Sequence, residues 1–599
     1  GYRLGVGNAV VGAWLKVYEK KDFIGEFPKE GTTRQRSTYI AKEWWNQAQV
    51  MRAYTKGKLT RKEDEIYHFL LPDKNMVPSA GIRMLRSEYS NEARRVAEWK
   101  REFTKPIHRD EFIKLQNICK KIDALLDEHF TIQNLINEYT GGKKNFFGHE
   151  NNQQEIFTVY NEKDQLAQQR NKHNAPYFKL KMIMDYWCAL WFWDVRNAAD
   201  LPTRTEWYAD IANILELDLE GILSGQDNEG EEIFKPIPEQ GSLFSEPIQL
   251  VLKSYRDTKK KDVSIETIKN FTDRTDLFQN NRLAIVKDLA IKYRFFHNQL
   301  EFIEVFKQRG GFDVVVGNPP WVEISFNAKA IVSEIQPEVL IRKISTEKSI
   351  EISESIALRN SSFKYLVYSE TLKSETVQSF IGAIQNYPLL IGQKNNLYKN
   401  VLENSLFIVS NNGYIGLIHP EGIYNDPNAK VTRSFIYEKL RYHFQFKNEL
   451  MLFGEIDHNN IYSINVYSGD SNSTSFDSIS NLFHPITIDG CYAHGGSGQC
   501  TGIKQFDKLA QKRVWNISPH KNRIVKVDIN TLKLFSQVFE NSTDYTSTKL
   551  INIHSNDILS VLDKLSNISK RVSDFEYELV IGLDQAKEIK EKNIIESPN

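Results

Sequence analysis

At 599 residues, 41% apolar and 26% charged, the chain is long enough for about three or four domains with sizeable cores. Lys plus Arg and Asp plus Glu both number 77, which excludes a chain that is basic throughout and makes any basic cleft local. Four cysteines exclude a disulfide framework, and no apolar run reaches the roughly 18 residues of a membrane span, so a reducing cytoplasm is the expected setting.

In chain order, GYRLGVGNAVVGA opens as a strand end, a Gly-rich turn and a short apolar segment. From about residue 35 to 300 the pattern is mostly helical. RSEYSNEARRVAEWKREF, FIKLQNICKKIDALLDEHFTIQNLINEY and KLKMIMDYWCALWFW carry apolar residues at three- and four-residue spacing. TGGKKNFFGHENNQQ and LSGQDNEGEEIFKPIPEQGS read as loops between them. From about residue 295 the pattern changes to α/β. FDVVVG (312–317) predicts a short buried strand, helices follow over about 328–408, and GYIGLIHP predicts a second buried strand. IYSINVYSG (461–469) predicts a third, whose alternation suggests a sheet edge. Residues 470–599 are mixed, with many polar loops, and no fixed-period repeat is present.

The informative stretch is DVVVGNPPW, Asp313 to Trp321. NPP alone is a common way to end a strand, since Asn and Pro favour turns. An aromatic after NPP, straight behind a Val-rich strand opened by Asp, is far more specific, and it suits methylation of an adenine amine. That amine is a poor nucleophile until its hydrogens are held by acceptors. The Asn318 side-chain carbonyl and the Pro319 backbone carbonyl are such acceptors. Pro319 and Pro320 stiffen the turn, and Trp321 offers a stacking face for a base flipped out of the duplex.

With these residues in view, FHNQLEFIEVF (296–306) followed by GFDVVVGNPPW resembles the large N6-adenine DNA methyltransferases of fused type II restriction–modification enzymes and phage-defence systems. GNAVVGA (7–13), DYWCALWFW (185–193), NLYKNVLENSLFIVSNNGYIGLIHPEGIYND and LFHPITIDGCYAHGGSGQCTGIK are similar to further segments of that family, in order. The resemblance implies an α/β, Rossmann-like class I core that uses S-adenosylmethionine. It places a remnant of the core's first half at 1–15 and a mainly helical insertion at 16–294. The catalytic half falls at 295–470, and the start of a target-recognition region at 471–599. It also implies that the chain is a fragment. It opens at Gly1, and the D-P-x-x-G-S-G-like cofactor loop and any fused nuclease would lie upstream.

Carried residue by residue, the resemblance gives Asn318, Pro319, Pro320 and Trp321 the target adenine. Tyr is commoner than Trp at the last position. It gives the cofactor Gly7, Asn8 and Asn318, although the family often has Asp where Asn8 stands. Tyr462 or Phe453 is expected to face the flipped base. The implied partners are double-stranded DNA and restriction or defence subunits, with no membrane. Two other readings stand beside this one: a protein-glutamine or RNA methyltransferase using the same turn, and a non-catalytic DNA-binding subunit.

Weaker signals read as structure. GGSG at 495–498 is a loop, and Cys491, His494 and Cys500 give only three ligands for a metal. His297, His419 and His458 are core or loop histidines. KKK at 259–261 and RRVAEWKR at 94–101 are solvated faces, the latter with phosphate contact as the alternative.

Overall fold

The computed structural model describes residues 5–23, 43–51, 54–55, 58–140, 160–218, 263–471, 473–507, 511–568, 570 and 574–576. Most of the loops expected at 140–154 and 223–242, and the lysine run at 259–261, lie outside the described residues. The chain forms two compact units, Gly1–His443 with Ile461–Ser473, and Phe444–Asn460 with Thr474–Asn599.

The first unit is built around helix Pro176–Phe192. Proline at its first turn costs no hydrogen bond there. From Tyr186 to Phe192 the helix is apolar all round, and Tyr186, Trp187, Cys188, Trp191 and Phe192 are fully buried. Helices Arg109–Thr140, Arg204–Leu215, Asn281–Tyr293 and Ser361–Ile381 pack against it. Arg204–Leu215 starts on a capping box, in which Thr203 and Glu206 satisfy each other's backbone N–H groups. Residues 16–294, expected as mainly helical, also hold a small antiparallel sheet. In it strand Lys16–Glu19 lies between Val50–Met51 and Glu65–Tyr67.

The Val-rich strand forms where expected, at Phe312–Gly317. Two glycines deliver it. Gly310 (φ +75°) caps helix Ile303–Arg309, and at Gly311 (φ +151°) a Cβ would lie 2.5 Å from the Ile408 carbonyl oxygen. The strand pairs in parallel with Val409–Pro420, with Val315 opposite Ile415 and Gly317 opposite Leu417. It is not buried as expected: Val314 is 64% and Val316 78% exposed. The reason is position. Among the described residues the strand has one neighbour, and its outward valines share a bare face with Tyr414 while Ile415 and Leu417 fill the covered one.

The strand expected around GYIGLIHP is longer, Val409–Pro420, and buried along one face. Ile461–Ser468 forms as expected but is no edge. It pairs antiparallel with Val409–Pro420 and, on its other side, neighbours the strand that starts at Leu440. Its alternating polar residues, Ser463 and Asn465, are fully buried rather than solvated. Helices Ala328–Ser333, Glu338–Ile341, Thr346–Ala357, Ser361–Ile381 and Leu397–Ile408 occupy the predicted helical stretch. Ile331, Val332, Val339, Ala357, Phe363 and Val367 form a small core of their own there.

In the second unit, Ser475–Leu482 pairs antiparallel with Val525–Asp528, and Lys504–Asp507 with Lys512–Trp515. The buried Arg523 guanidinium donates to the carbonyls of Ser480, Asn481 and Ser518. No helix among the described residues is long and apolar enough to cross a membrane.

Candidate active site

Strand Phe312–Gly317 ends at Gly317, and residues 318–321 leave the sheet without regular structure. Asn318 and Pro320 are exposed, Pro319 is buried and Trp321 is half-buried. Pro319 thus anchors the turn, while the Asn318 side chain makes no hydrogen bond among the described residues. It stands at the carboxyl end of a parallel strand, where ligands of open α/β sheets bind.

The turn's exit is pinned at several points. Trp321 Nε1 donates to the Ile418 carbonyl at 3.2 Å, Leu397 N to Val322 O at 3.0 Å, and Gln378 Nε2 to Ile324 O at 2.6 Å. Trp321 and Tyr462 face each other with ring centroids 5.5 Å apart and planes at 37°. Tyr462 is opposite Pro420 in the sheet register and only 3% exposed, and burial pushes its hydroxyl up to about 12. Tyr462 therefore supports the indole from the neighbouring strand. Phe453 belongs to the second unit, in a turn that Asn448 ties by hydrogen bonds to the Phe453 N–H and carbonyl.

A buried polar network begins at His419, the residue after the Ile418 carbonyl that holds Trp321. His419 stacks on Tyr398 at 5.3 Å and hydrogen-bonds Tyr467, whose hydroxyl meets that of Tyr424; Tyr424 donates to Asn465. Burial drives the His419 imidazole down to about 4, so it is neutral at physiological pH. Burial pushes the Glu421 carboxyl up, but His443, 3.1 Å away, together with Ser463 and His419 outweighs this and holds it below the usual range. Sequence reasoning took His419 as a core histidine and passed over Glu421 and His443. The polar spacing of LIHPE, and of LRYHFQFK for His443, was their only signal.

The segment around Asn8 lies along residues 293–299. Asn8 N–H donates to Arg294 O at 2.7 Å, Asn8 Oδ1 accepts from Val10 N at 3.1 Å, and Asn8 Nδ2 donates to Tyr293 O at 3.4 Å. A Cβ on Gly7 would lie 2.3 Å from the Phe296 ring, so that glycine is required by close packing. Helix Leu397–Ile408 serves both segments. Its first residue holds Val322, and Asn404 donates to the Ala9 carbonyl at 2.8 Å, ~10 Å further along at 1.5 Å per residue.

Cys491 is buried in helix Ile486–Ala493, and the His494 ring packs against that of His520 at 4.4 Å. Among the described residues no group of three or more His, Cys, Asp or Glu is placed to hold a metal ion.

Residues 185–353 match the family model described as Eco57I restriction-modification methylase. The match begins in the buried helix Pro176–Phe192 and takes in strand Phe312–Gly317 and the NPPW turn. No curated protein matches the chain. Together with the mixed α/β architecture, the match supports a DNA methyltransferase of the restriction–modification type.

Proposed function

We propose that the protein is a site-specific adenine-N6 DNA methyltransferase that takes its methyl group from S-adenosylmethionine and acts on a flipped adenine, in a restriction–modification or phage-defence system. The observation that carries this reading is the unpartnered Asn318 amide at the carboxyl end of a parallel strand, with Trp321 braced by Tyr462 three residues on. On this reading the α/β sheet is the catalytic half of a Rossmann-like core.

Asn8 fits one edge of the cofactor's adenine. After its contacts to Val10 and Tyr293 it retains one amide hydrogen and one lone pair. When bound, S-adenosylmethionine supplies the electrophilic methyl group. The chain's own residues prepare the acceptor. The Asn318 carbonyl and the Pro319 backbone carbonyl accept the two hydrogens of the target amine, drawing its lone pair out of conjugation. Trp321 stacks on the base and replaces the stacking lost on flipping. Catalysis is then positioning and hydrogen bonding, with no covalent nucleophile. The proton released after transfer passes to water.

The test incubates the protein and its Asn318→Ala variant with duplex DNA and labelled S-adenosylmethionine, followed by digestion to nucleosides. Label in N6-methyladenine that disappears in the variant is expected. Label in RNA or protein instead would overturn the substrate, and DNA binding without transfer would leave only a binding subunit.

A further inference from the structure

Residues 13–15 carry three successive backbone N–H groups that no strand takes up. Side chains accept all three. Ala13 N–H donates to His297 Nδ1 at 2.9 Å, Trp14 N–H to His68 Nε2 at 3.0 Å, and Leu15 N–H to Gln299 Oε1 at 2.6 Å. All three acceptors are buried, with His297 at 0% exposure. An imidazole nitrogen accepts only when it carries no proton. His297 must therefore hold its hydrogen on Nε2, and that nitrogen faces Asp185 Oδ1 at 2.9 Å. The other Asp185 oxygen takes Lys181 Nζ at 2.6 Å. Asp185 is itself buried and stands in the helix at the centre of the core.

We infer that Asp185 and His297 are positioning residues for methyl transfer. Asp185 fixes the His297 tautomer, and His297 then clamps the segment that carries Asn8 onto the lead-in to the catalytic strand. Three elements far apart in sequence meet at this pair: residues 8–15, helix Pro176–Phe192 and the stretch just after Arg294. Phe296 N–H also donates to Val11 O at 2.9 Å, and Asn8 N–H to Arg294 O at 2.7 Å, so the clamp secures the segment from Asn8 to Leu15. A carboxylate is suited to this task because it only accepts. An amide in its place can donate to Nε2, which moves the imidazole hydrogen to Nδ1 and sets it against the Ala13 N–H. The link to the cofactor rests on the proposed role of Asn8; the clamp itself does not.

The experiment compares the unaltered full chain with Asp185→Asn, His297→Asn and the double variant. Amide hydrogen exchange is followed by mass spectrometry in peptides covering residues 8–15, and S-adenosylmethionine binding by calorimetry without DNA. An asparagine at 297 offers a carbonyl near the Nδ1 position and has no tautomer to set. Asp185→Asn is expected to speed exchange in this segment and weaken cofactor binding, each by roughly tenfold. On the His297→Asn background the same change is expected to add little. Unchanged exchange in Asp185→Asn, or equal effects on both backgrounds, would overturn the tautomer clamp. Faster exchange with unaltered cofactor affinity would overturn the positioning role. No cofactor binding by the unaltered chain would overturn the functional reading instead, and the exchange data would still decide the clamp.

Discussion

Replacing Gly12 by alanine tests how the segment carrying Asn8 is seated. A Cβ at Gly12 would lie 1.9 Å from the Phe296 carbonyl oxygen and 2.7 Å from its carbon. Ordinary contact begins at 3.4 Å, so the two backbones must part by about 1.5 Å. No flexible side chain is there to yield. Parting them breaks the hydrogen bonds from Phe296 N to Val11 O and from Ala13 N to His297 Nδ1, both 2.9 Å. Two net hydrogen bonds contribute about 2 kcal/mol, and overpacking adds about 1–3 kcal/mol, for a total near 4 kcal/mol. Gly81→Ala is the control, because a Cβ there meets nothing within 4 Å. Urea unfolding followed by tryptophan fluorescence reports on the right region, since nine of the ten tryptophans lie in the first unit. Gly12→Ala is expected to lower the midpoint strongly and Gly81→Ala to leave it within about 0.5 kcal/mol of the unaltered chain. Equal midpoints for the two variants would refute the packing argument.

Tyr462→Ala removes the ring that braces Trp321. It is expected to lower DNA methyl transfer at least about tenfold, while S-adenosylmethionine affinity measured without DNA is retained; a matching loss of cofactor affinity would contradict the assignment. Asp73 is fully buried with one carboxylate oxygen unpartnered, and burial pushes its carboxyl up from 3.8 to about 7. Its folded value is the raised one, so its contribution to stability is fully present below pH 3.8 and is lost as pH rises through about 7. Asp73→Asn should flatten that dependence and stabilise the protein at pH 8 by up to roughly 4 kcal/mol, with no gain near pH 4; an unaltered pH profile of urea stability would refute it.

Local pattern made part of this molecule legible. The Val-rich run ending in NPPW gave strand Phe312–Gly317 and its turn, because short-range chemistry sets both. The long amphipathic stretches gave helices Ser90–Phe103 and Arg109–Thr140 for the same reason. Features that depend on neighbours distant in sequence did not show. Val314 and Val316 look like core residues, and only the sheet order reveals that they are exposed. Strand Leu440–Lys447 was passed over because its buried set mixes Leu440, His443, Gln445 and Phe446, which gives no two-residue apolar period. Ile461–Ser468 looked like an edge because Ser463 and Asn465 alternate with apolar residues, yet in the fold that polar row is buried and Asn465 accepts from Tyr424. At the site, Trp321 and Tyr462 meet although they lie 141 positions apart in the chain, a contact that the sheet register sets and local pattern does not show. Asp185 and His297 each lie in a segment that carries the resemblance, but nothing in either segment shows that the two side chains pair.

The most direct measurement is methyl transfer from labelled S-adenosylmethionine to duplex DNA by the unaltered protein and by Asn318→Ala, with cofactor binding of both followed in parallel. The account predicts label in N6-methyladenine from the unaltered protein, at least about a hundredfold less from the variant, and folding preserved in both. Undiminished transfer by Asn318→Ala, or label in any other nucleoside, would contradict it.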